Sequence, residues 1–393
     1  MLQSMLAILG VTLIIGLTYL FSKNKKEVNL KTIGLLLVTQ IVLAFILLKT
    51  PVWKAVEWVA NGIQTIIGYS QEGIAFVFGG LATDSGWVLF FGGLLPIVFI
   101  SALVGILFHF GILQKFVKVI GLSLAKIFNI DSLVFTNGLL NMFMGQSDSL
   151  AVTQSYLPKA NDRVVFATLV SGMASMSIAV VGLYASMGAS LEYIVVSMPL
   201  TVISTFILTQ IVMPTKYVPS EELEISTDDI SDSWMSTMMN FATKGFEVVV
   251  GVVIALIVFL SLVAMINGLI GTVFPALTLQ KIIGVIFLPI AVLMGVPMTE
   301  LSLVSELLAS RLVFNEAVAY GMPQFNMLAE NTKAMVTIAL AGFGGIGSVS
   351  ILYGTVKAFA PSKVKVVAKY GILALVIANL VNIMSSAIVG LFL

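Results

Sequence analysis

Apolar runs of about 18 or more residues recur along the whole chain, and they constrain its fold more than any other feature. An apolar helix of about 20 residues spans the hydrocarbon core of a bilayer, and a helix satisfies its own peptide groups there. The composition agrees, because 59% of the residues are hydrophobic and only 10% are charged. Soluble proteins carry about 25% charged residues. The sequence therefore predicts an all-α integral membrane protein with one membrane domain, and it excludes a soluble enzyme with a single anchor.

The positions of the positive charges predict which side of the membrane each end of these runs faces. Four lysines directly follow the first run, namely Lys23, Lys25, Lys26 and Lys31, and basic clusters mark the cytoplasmic side. We therefore expect both termini outside, and we expect the first run to be a retained span rather than a signal peptide. The predicted transmembrane helices, about eight in number, are 3–21, 32–48, 87–110, 164–187, 191–213, 245–271, 334–359 and 370–393.

Two stretches carry polar residues although the neighbouring apolar runs place them at membrane depth. The first, 131–158, contains Asn141, Gly145, Gln146, Ser147 and Asp148, and the second, 298–320, carries four charged side chains. Polar groups in lipid cost several kcal/mol unless they serve a ligand or ion, so we predict a re-entrant hairpin in each. A cytoplasmic loop is the alternative for the first stretch.

Each predicted hairpin precedes a span with small or polar residues in its centre. These residues are Ser171, Gly172, Ser175 and Ser177 in one span, and Gly342, Gly344, Gly345 and Gly347 in the other. The serines either only mediate close helix packing or mark an unwound, ion-facing segment, whereas the glycines predict a broken span. The same order in two halves of opposite orientation is typical of an inverted-repeat secondary transporter with its site at the midplane. Periodicity alone supports only a polytopic transporter or channel.

The remaining segments connect these elements. We expect interfacial amphipathic helices over 51–80 outside and 113–128 inside, and an acidic cytoplasmic connector over 215–244. We expect the apolar stretch 276–296 to be broken by Pro289 and Pro297. The only histidine, His109, is either an interfacial structural residue or a proton relay.

The residues that several kinds of enzymatic chemistry need are absent from the sequence. The chain has no cysteine and one histidine, which leaves no thiolate chemistry and no histidine-rich metal site. An intramembrane hydrolase would have only Asp148 and Glu316 as a carboxylate pair, without a paired nucleophile and base. We therefore expect no enzymatic activity, no cofactor and no nucleic-acid partner.

Three motifs resemble the concentrative nucleoside transporter family, to which the chain is similar almost end to end. Gly145-Gln-Ser-Asp148 resembles the family's Gly-Gln-Ser/Thr-Glu, and Asn315-Glu-Ala-Val-Ala-Tyr320 resembles its Asn-Glu-Phe-Val-Ala-Tyr. The stretch Ala339–Ser348 resembles a third family motif. The two hairpin motifs, in order and on either side of the acidic connector, make the resemblance specific.

The resemblance implies a sodium- or proton-driven importer of nucleosides in a bacterial cytoplasmic membrane, a homotrimer whose transport domain moves like an elevator. It implies that the substrate is bound by Gln146, Ser147, Asp148, Glu316 and Ser348, and sodium by Asn141, the Met144 carbonyl, Ser175 and the Met176 carbonyl. Scaffold is expected mainly in 1–112, the first transport repeat in 113–214, the acidic loop and a scaffold span in 215–271, and the second transport repeat in 272–393. A nucleoside-sensing membrane protein without transport is the alternative.

Three positions depart from the family pattern. Asp148 stands in place of Glu, Gly345 in place of a ribose-contacting Asn, and Ala317 in place of Phe. Other roles also remain open for the site residues. Glu316 could form a buried ion pair with Arg311, Asn141 and Asp148 could cap helix ends, and either acid could carry the coupling proton.

Overall fold

The computed structural model describes residues 2–84, 86–218, 230–275 and 277–393, and the regular structure in these ranges is helical. The part of the predicted acidic connector from residue 219 to 229 lies outside the described residues. The all-α membrane architecture predicted from the apolar runs is confirmed.

The helices before the first polar stretch are α1 (Leu2–Leu20), α2 (Leu30–Lys49), α3 (Trp53–Phe78), α4 (Gly80–Thr83), α5 (Pro96–His109) and α6 (Ile112–Phe128). From the first polar stretch to the connector follow α7 (Ser132–Met144), α8 (Gln146–Val152), α9 (Asp162–Ala174), α10 (Val181–Ser186) and α11 (Leu191–Val212). Then follow α12 (Trp234–Gly271) and α13 (Leu279–Leu293). The second polar stretch and the residues after it contain α14 (Leu301–Val313), α15 (Glu316–Gly321), α16 (Pro323–Asn326), α17 (Glu330–Leu340), α18 (Gly347–Phe359) and α19 (Val364–Gly390).

Within the described ranges, seven helical segments are long and apolar enough to cross a membrane. They are Gln3–Leu20, Leu30–Lys49, Phe90–His109, Asp162–Ser186, Leu191–Val212, Trp234–Gly271 and Pro361–Gly390. The remaining predicted span, 334–359, is divided into α17 and α18 by residues 341–346. Each predicted span therefore coincides with helical structure, and two of them are interrupted, 164–187 between α9 and α10 and 334–359 between α17 and α18.

Two boundaries differ from the prediction. The helix α13 continues through Pro289 and ends at Leu293, before Pro297, so the predicted break at Pro289 is wrong. In lipid, neighbouring helices can compensate for the hydrogen bond that an internal proline removes. The long helix α12 already begins at Trp234, so 234–244 is helix rather than connector. Ser233 explains this start, because its side chain accepts a hydrogen bond from the Ser236 N–H and caps the helix.

The two broken spans meet where each is unwound. The Phe343 N–H donates to the Ser175 carbonyl at 3.2 Å, so backbone freed in one span satisfies backbone freed in the other. Asn382 of α19 secures the crossing, because its Nδ2 donates to the carbonyls of Ala174 at 2.8 Å and Ala341 at 2.9 Å. These contacts build one rigid centre from both halves of the chain.

Candidate functional site

The first hairpin turns at a glycine. The helix α7 ends at Met144, Gly145 has a φ of 88°, and α8 begins at Gln146. This left-handed conformation is open to glycine but strained for other residues, which explains the glycine inside the polar stretch. The two arms contact each other across the turn, because the Ser149 hydroxyl donates to Asn141 Oδ1 at 2.6 Å. The predicted helix-break-helix hairpin is present, with its tip at the predicted residues.

The second hairpin turns without a glycine. The helix α14 ends at Val313, and Asn315 caps α15 by accepting the Val318 N–H at 2.9 Å. Glu316 is the first residue of α15, at the end where the free N–H groups favour negative charge. The cap and the helix end together present the carboxylate at the tip.

Both tips line one cavity of about 660 Å³, and residues of α12 line another side of it. All five residues predicted to bind substrate line this cavity: Gln146, Ser147, Asp148, Glu316 and Ser348. Residues that lie 170 positions apart in sequence, Gln146 and Glu316, thus share one space. A volume of this size accommodates a small organic ligand.

The polar side chains of the cavity differ in their hydrogen-bond partners. Glu316 is 7% exposed, and its Oε1 accepts the Tyr184 hydroxyl at 2.8 Å. The hydroxyls of Ser147 and Thr355 lie 3.1 Å apart, which joins α8 to α18. Gln146 Oε1 is buried and has no hydrogen-bond partner among the described residues. A buried acceptor without a donor is costly, so this amide oxygen suits a donor supplied by a ligand.

The residues predicted to bind sodium lie where the first hairpin packs on the end of α9, and we call this region the first junction. Asn141 is fully buried there, and its Nδ2 donates to Ser171 Oγ and to Asn137 Oδ1, both at 3.0 Å. The Ser175 hydroxyl donates to the Ser171 carbonyl at 2.7 Å. Met144 and Met176 contribute to the same layer at 6% and 2% exposure. The alternative that Asn141 caps a helix end is wrong, since it lies inside α7.

Arg311 provides the corresponding contact in the second hairpin, where α14 packs on the end of α17, and we call this region the second junction. Its guanidinium is fully buried and donates to the Ala339 carbonyl at 2.7 Å and to Asn382 Oδ1 at 2.6 Å. The hydrogen-bond partners of Arg311 among the described residues are therefore carbonyl and amide oxygens. Glu316 binds Tyr184 instead, so the predicted alternative of a Glu316–Arg311 ion pair is not what the structure shows.

Sequence reasoning missed several residues at the site. Tyr184 holds the Glu316 carboxylate, and Lys244 and Glu247 of α12 line the cavity. Asn379 and Asn382 hold the unwound segment 341–346 from α19. The two asparagines had a visible signal, because they lie three residues apart in an otherwise apolar run. Tyr184 had none, since its partner is 132 residues away.

The remaining polar predictions fall outside the cavity. His109 Nδ1 lies 3.0 Å from the hydroxyl of Thr237 near the start of α12, which fits the structural alternative for this histidine. Among the described residues there is no group of three or more histidine, cysteine, aspartate or glutamate side chains that could hold a metal ion.

Two helical repeats of this order around a central ligand cavity define a polytopic membrane transporter. The sequence matches the families described as Na+ dependent nucleoside transporter N-terminus over residues 9–81 and Na+ dependent nucleoside transporter C-terminus over 193–390. Residues 90–191 match the family described as nucleoside recognition, Gate. The chain belongs to the concentrative nucleoside transporter family, which transports nucleosides and is not a family of enzymes.

Individual relatives match over nearly their full length. An uncharacterized transporter of Haemophilus influenzae is 32% identical, covering 98% of this chain and 97% of the relative. The nucleoside permease NupC of Helicobacter pylori is 28% identical, covering 100% and 98%. The structure of CNTnw in an inward-facing substrate-bound state aligns with a TM-score of 0.93 at 30% identity, covering 99% of this chain and 98% of that chain. CNTnw variants in outward-facing and intermediate states also align with a TM-score of 0.93.

Proposed function

We propose that this protein imports nucleosides by symport with sodium. The observation that carries the proposal is the arrangement of the two predicted sets of residues. The substrate set lines the cavity, while most of the sodium set is buried directly behind the first hairpin tip. An ion bound at the first junction would stabilise the tip that presents Gln146, Ser147 and Asp148 to the ligand. Ion and nucleoside would then favour each other's binding, which is the basis of symport.

The substrate roles follow from the donors and acceptors of a nucleoside. Glu316 would accept hydrogen bonds from the ribose hydroxyls, because a carboxylate held by Tyr184 keeps further lone pairs free. Ser348, at 7% exposure, would contact the same sugar. Gln146, Ser147 and Asp148 would contact the base, and the unpartnered Gln146 Oε1 would accept a base N–H.

The oxygen atoms available at the first junction suit a monovalent cation. Asn141 Oδ1 accepts one hydrogen bond, from the Ser149 hydroxyl, and Ser175 uses its hydroxyl hydrogen for the Ser171 carbonyl, so each side-chain oxygen keeps a lone pair for an ion. Met144 ends α7, and Met176 lies in the unwound segment that follows α9, so neither carbonyl has a donor from continued helix. Neutral oxygens of this kind bind sodium at broken helices in transporters.

Uptake into proteoliposomes tests this proposal. Radiolabelled uridine, adenosine or guanosine should accumulate with an inward sodium gradient and much less in choline medium with a proton gradient. Equal uptake in the two media would overturn the sodium assignment and would favour a proton carried by Asp148 or Glu316. Binding without accumulation in either medium would instead indicate a nucleoside sensor.

We also propose an elevator movement of a transport domain, with the scaffold and the two transport repeats divided as the sequence predicts. The cavity lies between α12 and the hairpin tips, so a ligand there would touch both bodies. Because the chain has no cysteine, Ala151→Cys on α8 and Val248→Cys on α12 would place its only two thiols on walls of this cavity. We expect a reducible thiol-specific crosslinker that joins this pair to stop uptake and reduction to restore it, while each single variant stays active. Unchanged uptake by the crosslinked protein would contradict the movement.

The assembly and orientation belong to the same proposal. We propose a homotrimer in a bacterial cytoplasmic membrane, with both termini outside. The apolar part of α12 is only 17% buried within one chain, which leaves a long face for lipid or for a second copy. The mass of the detergent-free particle in lipid nanodiscs would count the subunits. Protease access to tags placed at each terminus in intact cells would establish the orientation.

A further inference from the structure

Arg311 occupies in the second repeat the position that Asn141 occupies in the first. Each lies five residues before the residue that opens the second arm of its hairpin, Gln146 or Glu316. The first arms, α7 and α14, each have 13 residues. The spans that follow are both interrupted, one after α9 and the other after α17. The two repeats therefore align with Arg311 opposite Asn141.

Both side chains reach the C-terminal part of the helix that follows their hairpin. Asn141 donates to Ser171, which lies in the last turn of α9. Arg311 Nη1 donates to the Ala339 carbonyl in the last turn of α17, and its Nη2 lies 3.4 Å from the Gly342 carbonyl in the unwound segment. Both side chains thus bind the last turn of the following helix, but Asn141 is a neutral amide that binds a hydroxyl and Arg311 is a cation that binds carbonyls.

The surroundings of Arg311 are those of a bound cation. The last carbonyls of a helix lack intrahelical donors and carry partial negative charge, so a positive group is stabilised there. The guanidinium is 0% exposed and lies among the carbonyls of Ala339 and Gly342 and the amide oxygen of Asn382. The hydrogen bonds of the charge go to oxygen dipoles, whereas the Glu316 carboxylate acts on it without a hydrogen bond and Arg311 Nε has no partner among the described residues.

The unwound segment is shaped around this group. A Cβ atom added to Gly344 would lie 2.4 Å from Arg311 Nη2 and 2.7 Å from Cζ. The guanidinium thus fills the space beside the backbone, and a residue larger than glycine at 344 would displace it. Asn379 Nδ2 donates to the Gly344 carbonyl at 2.9 Å, which holds the glycine in this place.

We infer that the Arg311 guanidinium is a tethered cation, which takes in the second junction the place that a transported sodium ion takes in the first. The inference rests on the sodium site of the proposed function. Because the guanidinium cannot leave, the second junction stays closed through the cycle and only the first exchanges an ion. One sodium ion per nucleoside follows.

Chemical rescue tests whether the charge matters. Arg311→Ala removes the cation and leaves room for a free one, so the melting temperature of the purified protein in choline buffer should fall by several degrees. Millimolar guanidinium should restore it, whereas urea, which is similar in shape but neutral, should not. Equal effects of urea and guanidinium, or no fall at all, would overturn the inference.

A second pair of variants keeps the test decisive if Arg311→Ala does not fold. Arg311→Lys retains the charge and Arg311→Gln removes it at similar length, so Lys should remain close to the parent in choline while Gln falls well below it. Matching stability of the two would mean that Arg311 acts only through its hydrogen bonds, and the inference would be wrong. Sodium titration of uptake should follow a one-site curve in the parent and in Arg311→Lys, and a two-site curve in either would overturn the stoichiometry.

The readouts separate this inference from the proposed function. Sodium dependence of uptake in the parent and in Asn141→Ala reports on the first junction alone. If that dependence is missing, the sodium proposal fails, but rescue of Arg311→Ala by guanidinium still shows whether the second junction holds a cation.

Discussion

The two hairpin junctions share one plan of helices and differ in chemistry. The first is filled by neutral side chains, with Asn141 bonded to Ser149 and Ser171. The second is filled by Arg311, whose charge is permanent, while Glu316 at its tip binds Tyr184. Under the proposed function, one backbone arrangement provides a place for a removable ion at the first junction and a place held closed by its own cation at the second. Only the former can couple transport to an ion gradient.

The junctions are also connected to each other. The Ser175 carbonyl accepts the Phe343 N–H, and Asn382 binds the end of both α9 and α17 as well as Arg311. A change at the first junction therefore reaches the second through direct hydrogen bonds. This connection gives both hairpin tips one common support.

The largest effect is expected from removing the amide of the first junction. Asn141→Ala deletes the proposed sodium ligand and one hydrogen bond of each of the buried Ser149 and Ser171 hydroxyls, and a buried group left unsatisfied costs about 1–3 kcal/mol. We expect the ratio of uptake in sodium to uptake in choline to fall to about one.

Asn61→Ala, on the exposed face of α3, is the matched control and should keep the ratio of the parent. If Asn141→Ala keeps it as well, the first junction does not hold the coupling ion and the contrast between the junctions is lost.

The next effect concerns the charged tip of the second hairpin. Glu316→Gln keeps the shape but removes the charge, and charge-assisted hydrogen bonds contribute about 1.5–3 kcal/mol each. Affinity for uridine, adenosine or guanosine should drop by about tenfold or more, while affinity for the free base should drop much less.

Competition against a labelled ribonucleoside measures both, and Glu72→Gln on the exposed face of α3 is the control. Parental ribonucleoside affinity in Glu316→Gln would show that this carboxylate is structural.

A third prediction concerns the glycines of the broken span. A Cβ atom at Gly345 would lie 2.7 Å from the Phe314 carbonyl, whereas one at Gly347 would meet nothing within 4 Å. Overpacking of this kind costs about 1–3 kcal/mol, so Gly345→Asn and Gly345→Ala should both impair transport.

Gly347→Ala, two residues away, is the matched control and should transport more than Gly345→Ala. A gain in ribonucleoside affinity in Gly345→Asn would show instead that the position lacks a ligand contact and tolerates a side chain.

The smallest effect is expected from the hydroxyl that holds Glu316. Tyr184→Phe removes one hydrogen bond, and the carboxylate can then bind water from the cavity, so the loss should be about 0.5–1.5 kcal/mol. Ribonucleoside affinity should fall less than in Glu316→Gln. Tyr353→Phe, which is 41% exposed on α18, should have no effect. A loss in Tyr184→Phe as large as that in Glu316→Gln would show that the hydroxyl, too, contacts the ligand.

The apolar runs and the polar stretches that interrupt them are local features of the chain, so both could be recognised from the sequence. A run of apolar residues must cross lipid as a helix, so the spans were predictable from the sequence. The break at Gly145 was predictable as well, since a glycine among polar residues at membrane depth marks backbone that leaves the helix. Local rules failed at Pro289, because helices in lipid can continue through a proline when neighbours satisfy the backbone.

The partners of the charged residues depended on the tertiary structure. From the sequence, Arg311 and Glu316 lie five positions apart and could form an ion pair. The turn at Phe314 and Asn315 separates them, and the crossing of α17 with α19 brings carbonyls and Asn382 to the guanidinium instead. A buried charge is bound by whatever oxygen the packing places next to it, and these oxygens come from segments 28 to 71 residues away. The sequence by itself thus determined which residues leave the apolar pattern, whereas only the tertiary structure decided what each of them binds.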